Sequence, residues 1–82
     1  MNTIIIDKDK TEVTYKASKL YTAGQSIPIK LVDMLVITDS VCIDTKSIIQ
    51  IANANVPILY LTKDSKQFAL TFVKRSAELV SF

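Results

Sequence analysis

The aspartates, one cysteine and the lysines carry whatever chemistry this chain can do. Asp7 with Asp9, Asp39 with Asp44, and Asp64 are the groupings that could offer oxygen ligands to a hard cation. Such an ion needs several oxygens converging on one point. These acids stand in polar stretches beside Lys8, Lys10, Lys63 and Lys66, the setting of turn and cap residues. Cys42 lies between Val41 and Ile43, where a free thiol is expected to act as a small buried hydrophobe. A nucleophile would need an activating base or a positive neighbour, and none can be named. The sequence contains no histidine, so it lacks the usual base near neutral pH, a Ser-His or Cys-His pair and any His-containing metal site. No catalytic, metal or cofactor residue is expected.

Binding residues are easier to nominate. Lys16, Lys19, Lys74 and Arg75 could touch phosphates, since sequence-independent contacts to DNA are mostly Lys and Arg. Solvated outer faces account for them as well, and the net charge is only +2. Tyr15 and Tyr21 beside Lys16 and Lys19 are the only local set suited to base stacking. Phe68, Leu70 and Phe72 alternate onto one face, most simply a core face, although alternation cannot tell core from interface. With Ile27 and Ile29 they are the candidates for a dimer contact. No phosphate-binding glycine loop, dinucleotide fingerprint or zinc spacing occurs.

The elements that position these residues are short. Residues 3–7 are β-branched and apolar and run into the polar turn 7–10. Residues 11–16 alternate, with Val13 and Tyr15 on one face, as a half-buried strand does. Strands follow at 19–23 and 26–29. Gly24 stands where a hairpin needs a positive φ, and Pro28 marks an edge strand because it cannot donate to a ladder. A single helical turn is expected at 30–32. The apolar run 34–37 reads as a strand covered on both faces, and 41–43 as a brief one. The period then changes: Ile48, Ile51, Ala52 and Asn55 form a helical stripe. Asp44 or Thr45 can cap its start, Asn55 can take the left-handed conformation at its end, and Pro57 stops it. This spacing predicts a helix over 45–54, then strands at 57–62 and 67–73. The fold class is α+β and mostly β, with about seven short strands in hairpins and one helix packed against a sheet.

Eighty-two residues make one domain. An apolar content of 49% is high for so small a body, and the excess predicts a homo-oligomer or a neighbouring domain. The apolar runs fall far short of the roughly 20 residues of a membrane span, and the N-terminus lacks the pattern of a signal peptide. The expectation is a cytoplasmic protein without a membrane partner. A lone cysteine makes no internal disulfide.

The stretch Ile27-Pro28-Ile29-Lys30-Leu31-Val32-Asp33-Met34-Leu35-Val36-Ile37, then Val41-Cys42-Ile43, a capped helix, and Asn55-Val56-Pro57-Ile58-Leu59-Tyr60-Leu61 resembles the N-terminal β domain of the CRISPR-associated integrase family. Each motif is only an apolar strand with a proline; their succession is what is specific. The resemblance implies residues 1–73 as that domain and 74–82 as the start of a linker toward a C-terminal helical catalytic domain. It further implies a metal-dependent DNA endonuclease that inserts spacers into a CRISPR array in antiviral defence. Mn²⁺ or Mg²⁺, bound by glutamate, histidine and acidic ligands of the helical domain, would serve as Lewis acid for phosphoryl transfer. None of those ligands can be placed on this sequence. The role implied for this part is non-catalytic: it pairs with its own copy, orients the active sites, and in some members meets the Cas-two subunit or the splayed DNA end. Some relatives part the strands with an aromatic in an early loop; here the first turn is Asp7-Lys8-Asp9-Lys10, so that role is not carried over. The family helix commonly ends in glycine, where this chain has Asn55 and Val56. On residues alone, a free-standing oligomeric adaptor or a nucleic-acid-binding module stays open.

Overall fold

The structure, a computed structural model, describes residues 2–71. Its strands are β1 (Thr3–Ile6), β2 (Glu12–Lys16), β3 (Lys19–Thr22), β4 (Gln25–Pro28), β5 (Met34–Thr38), β6 (Cys42–Ile43), β7 (Ile58–Leu61) and β8 (Phe68–Leu70). A 3-10 turn, Ile29–Leu31, leads into β5, and one helix, α1 (Thr45–Asn53), separates β6 from β7. The mostly-β, one-helix class is as expected.

The strands form two four-stranded sheets, one ordered β1-β5-β7-β8 and the other β4-β3-β2-β6. Hairpins account for only part of this. β2, β3 and β4 are antiparallel neighbours, joined by two-residue turns whose central residues all have positive φ: Ala17 at 52° and Ser18 at 61°, then Ala23 at 50° and Gly24 at 74°. Such turns match the twist of the flanking strands. β1 makes no hairpin with β2, contrary to the expectation that the short strands pair as hairpins. It pairs in parallel with β5, Thr3 opposite Met34 and Ile6 opposite Ile37, while β2 starts the second sheet. β5 and β7 are also parallel, and β6 lies parallel to β2.

β5 is internal to its sheet and covered as its apolar run predicts. Leu35 and Ile37 are fully buried, and Met34, Val36 and Thr38 half-buried on the other face. Around them the core gathers Ile6, Val13, Leu20, Val32, Ile51, Val56 and Ile58. Burying each such side chain contributes about 1.5–3 kcal/mol.

α1 is held at both ends. The Asp44 carboxylate accepts from the Ser47 N–H (3.3 Å) and the Ser47 hydroxyl (2.5 Å), filling one of the free donors of the first turn. At the other end Asn55 takes φ 64°. The Asn55 N–H donates to Ala52 and the Val56 N–H to Ile51, the two bonds of a Schellman motif. Buried Val56 and Ile51 are its matched apolar pair. Asn55 is therefore the exposed cap rather than the end of the buried stripe, and Ser47, one turn before Ile51, is buried in that stripe instead.

Two further expectations fail on exposure. Cys42 is exposed, because β6 is a two-residue edge strand and puts alternate side chains on opposite faces. Phe68 is 75% and Leu70 47% exposed, so neither is core: β8 lies at the edge of its sheet.

Candidate interaction surfaces

Two packed sheets leave two open seams where their edges meet. At one, β1 of the first sheet faces the β3–β4 hairpin of the second across a groove. Ile4, Ile5, Ile6 and Ile27 line it, with Asp7, Lys8 and Thr11 at one end. Ile5 is 65% exposed. At the other seam an apolar cleft lies between β6 and the ends of β5, β7 and β8, with Val41, Ile43, Tyr60 and Phe68 on its walls. Burial raises the Tyr60 phenol above its ordinary pKa.

A third, more polar cleft lies between the β2–β3 hairpin and α1. Half-buried Tyr15 and Gln50 and buried Ser47 line it, with Lys16, Tyr21 and Lys46. Ser47 is the structural joint here: its hydroxyl accepts from the Tyr15 N–H at 3.0 Å while donating to Asp44. β6 pairs with β2 only at Glu12 and Val13, so the Ser47 hydroxyl continues the ladder past the end of β6. The hydrogen bond from Ser47 holds the Asp44 carboxyl below its ordinary pKa.

Lys16 and Lys19 are brought directly opposite each other, flanking the first tight turn, and both are exposed. Like charges so placed repel, which favours an anion against them. Lys74 and Arg75 lie outside the described residues. Ile27 and Ile29 are half-buried and pack on the core, Ile29 in the 3-10 turn rather than in β4. Phe68 and Leu70 are on the surface; Phe72 lies outside the described residues. The sequence reading missed exposed Ile5, and Lys46 beside Lys16. A run of three isoleucines was the available signal for the first, since alternation must send one outward.

Three of the other aspartates are engaged with protein groups. Asp9 is ion-paired with Lys63, and the bond from Lys63, with a second from Ser40, keeps its carboxyl below the ordinary range. Asp64 accepts from the Thr62 hydroxyl (2.6 Å) and the Lys66 N–H (3.0 Å), the first of which lowers its pKa most. Asp33 accepts from the Asn2 N–H at 2.6 Å. Among the described residues no three Asp, Glu or Cys side chains group so as to hold a metal ion, so the divalent ion that the resemblance implies finds no fitting site among them. No helix among them is long and apolar enough to cross a membrane.

By sequence, no family model and no curated protein matches the chain. Solved structures do match in fold. A CAS1 protein from Thermotoga maritima superposes over 87% of this chain and 24% of its own, with TM-score 0.70 and 10% identity. A casposase bound to integration product covers 93% of this chain and 26% of its own, with TM-score 0.70 and 14% identity. TtCas1 covers 94% and 32%, with TM-score 0.63 and 11% identity. The chain thus spans about a quarter to a third of the length of these proteins, and across that span its fold is one found in Cas1 proteins, in agreement with the resemblance drawn from its strand and helix succession.

Proposed function

We propose that this chain is the architectural, self-pairing domain of a Cas1-like integrase, acting in a CRISPR-associated system by holding two copies together. The observation that carries the reading is the fold match over most of the chain to Cas1 proteins and a casposase. It is supported by the apolar surface open to a neighbour, Ile5, Phe68 and Leu70 among it. In this reading the chemistry belongs to a longer polypeptide, where Mn²⁺ or Mg²⁺, DNA and the Cas-two subunit are the cofactor and partners. The domain sets spacing and orientation.

The test pairs two assays on the purified chain: sedimentation, and cleavage of branched and duplex DNA with Mn²⁺ added. A dimer that leaves DNA intact is the expected result. Metal-dependent cleavage by the chain itself would overturn the division of labour.

One observation favours a second reading, direct contact with DNA: the opposed Lys16 and Lys19 with Lys46 and Tyr21 nearby. This surface would grip phosphates, which position a protein without reading sequence.

A further inference from the structure

The seam between β8 and β6, the outer strands of the two sheets, stays open because of one small residue. Register sets Ile37 beside Tyr60 and Tyr60 beside Ala69, so all three turn to the inner face of the first sheet. Ile37 is buried. Tyr60 is only half-buried, because the next inner-face position outward is an alanine and fills little space. Across from them the second sheet ends in β6, two residues long, with Val41 and Ile43 on the facing wall. The result is a slot of about 380 Å³, within the range of roughly 300–1,000 Å³ usual for small-molecule sites. The groove beside Ile27 is smaller, about 250 Å³.

Both lips of the slot are tied down. On one, the Asp39 N–H donates to the Leu61 carbonyl at 2.9 Å and the Val41 N–H to the Thr38 carbonyl at 3.1 Å. On the other, the Thr62 N–H donates to the Gln67 carbonyl at 3.0 Å, and the Gln67 N–H donates to the Thr62 hydroxyl at 3.2 Å. A site preformed in this way loses little free energy to ordering when a ligand arrives. Its charge is one-sided. Among the described residues that line it, Asp39 is the only charged one, and it is exposed.

We infer that this slot binds a small aromatic amine, with the ring over Ala69 against Tyr60 and the ammonium group at Asp39. The occupant follows from the walls. Apolar flanks reward a ring for leaving water, and Tyr60 offers that ring an aromatic partner. A slot one side chain deep between two β layers favours a flat molecule of one or two fused rings. The carboxylate at the mouth selects a cation over an anion. An aliphatic amine meets the charge but not the ring, and an aromatic acid meets the ring but not the charge. The site does not depend on self-pairing, and it lies away from the turn that carries Lys16 and Lys19.

The experiment is amide-resolved NMR of the full chain, titrated separately with tryptamine, indoleacetate and butylamine. Tryptamine should shift the amides of residues 38–43, 60–62 and 67–69, and should bind about tenfold or more tightly than either of the others. Asp39→Asn should remove the preference over indoleacetate and leave weak binding of the ring. Ala69→Phe puts a ring of the protein's own into the slot and should abolish the response to tryptamine, with circular dichroism unchanged. Should that variant fail to fold, Asp39→Asn, at an exposed position, still decides. A parent chain that gives no localised shifts, that binds indoleacetate or butylamine as tightly, or whose preference survives Asp39→Asn overturns the proposal. Slot amides that move when the chain alone is concentrated, and not when tryptamine is added, would assign the slot to a second copy and overturn it too.

Discussion

Ser47→Ala should be among the most damaging single-atom deletions in the chain. Ser47 is 3% exposed, and its hydroxyl ties β2 to α1 by accepting from Tyr15 and donating to Asp44. Alanine fits the space, so no cavity of consequence forms. What is lost is the partner of the Tyr15 N–H, which lies beyond the last β6 residue able to replace it. A buried donor left unsatisfied costs about 1–3 kcal/mol. For a domain of this size that is a fall in Tm of roughly 5–20 °C. The assay is thermal and urea unfolding at fixed protein concentration, with Ser26→Ala, an exposed serine on β4, as the control expected to stay within about 0.5 kcal/mol. Acid provides a second axis. Asp44 has a folded pKa below its unfolded one, chiefly through the Ser47 hydroxyl. Its stabilisation is therefore present above the unfolded value and lost as pH falls through the folded one. The variant lacks most of that effect, so the gap between it and the parent should narrow on acidification through the carboxylate range. A variant as stable as the parent at neutral pH, or a gap constant with pH, would refute the joint.

The tight turns make an opposed pair of predictions. Ser18→Gly should stabilise and Gly24→Ala destabilise, each by about 1 kcal/mol, since both sites have positive φ that a side chain resists; urea midpoints measure both. A methyl at Gly24 would meet no atom within 4 Å, so its effect is conformational alone. Phe68→Ser should leave unfolding within about 0.5 kcal/mol of the parent, whereas Ile58→Ala, at 0% exposure, should cost about 2–5 kcal/mol. If the hairpin tip grips DNA, Lys16→Ala with Lys19→Ala should flatten the plot of log affinity against log salt by about 2, equally for unrelated sequences.

The helix was legible to within a residue because its determinants are local: Asp44 at the start, Asn55 and Pro57 at the end, isoleucines between. The strands were legible for the same reason, by alternation and turn residues. Their partners were not. Nothing local to Thr3-Ile4-Ile5-Ile6 says that it pairs with β5, 31 residues along by register, rather than with the adjacent β2. Exposure at sheet edges was hidden likewise. Phe68 and Leu70 have the pattern of a core face, and Cys42 the neighbours of a buried residue; only the order of strands reveals that β8 and β6 are outermost. Ser47 was passed over because a serine in a helical stripe carries no apolar signal, yet its hydroxyl replaces a missing strand neighbour. For the surface, the sequence placed Lys16 and Lys19 at one turn, and the register then set them face to face.

The claim on which the account turns is that this chain joins to its own copy. Static light scattering on the full chain, from low to high micromolar concentration at physiological salt, measures it directly. The account predicts a mass approaching twice the 9.1 kDa of one chain as concentration rises. A mass of one chain throughout that range would contradict it.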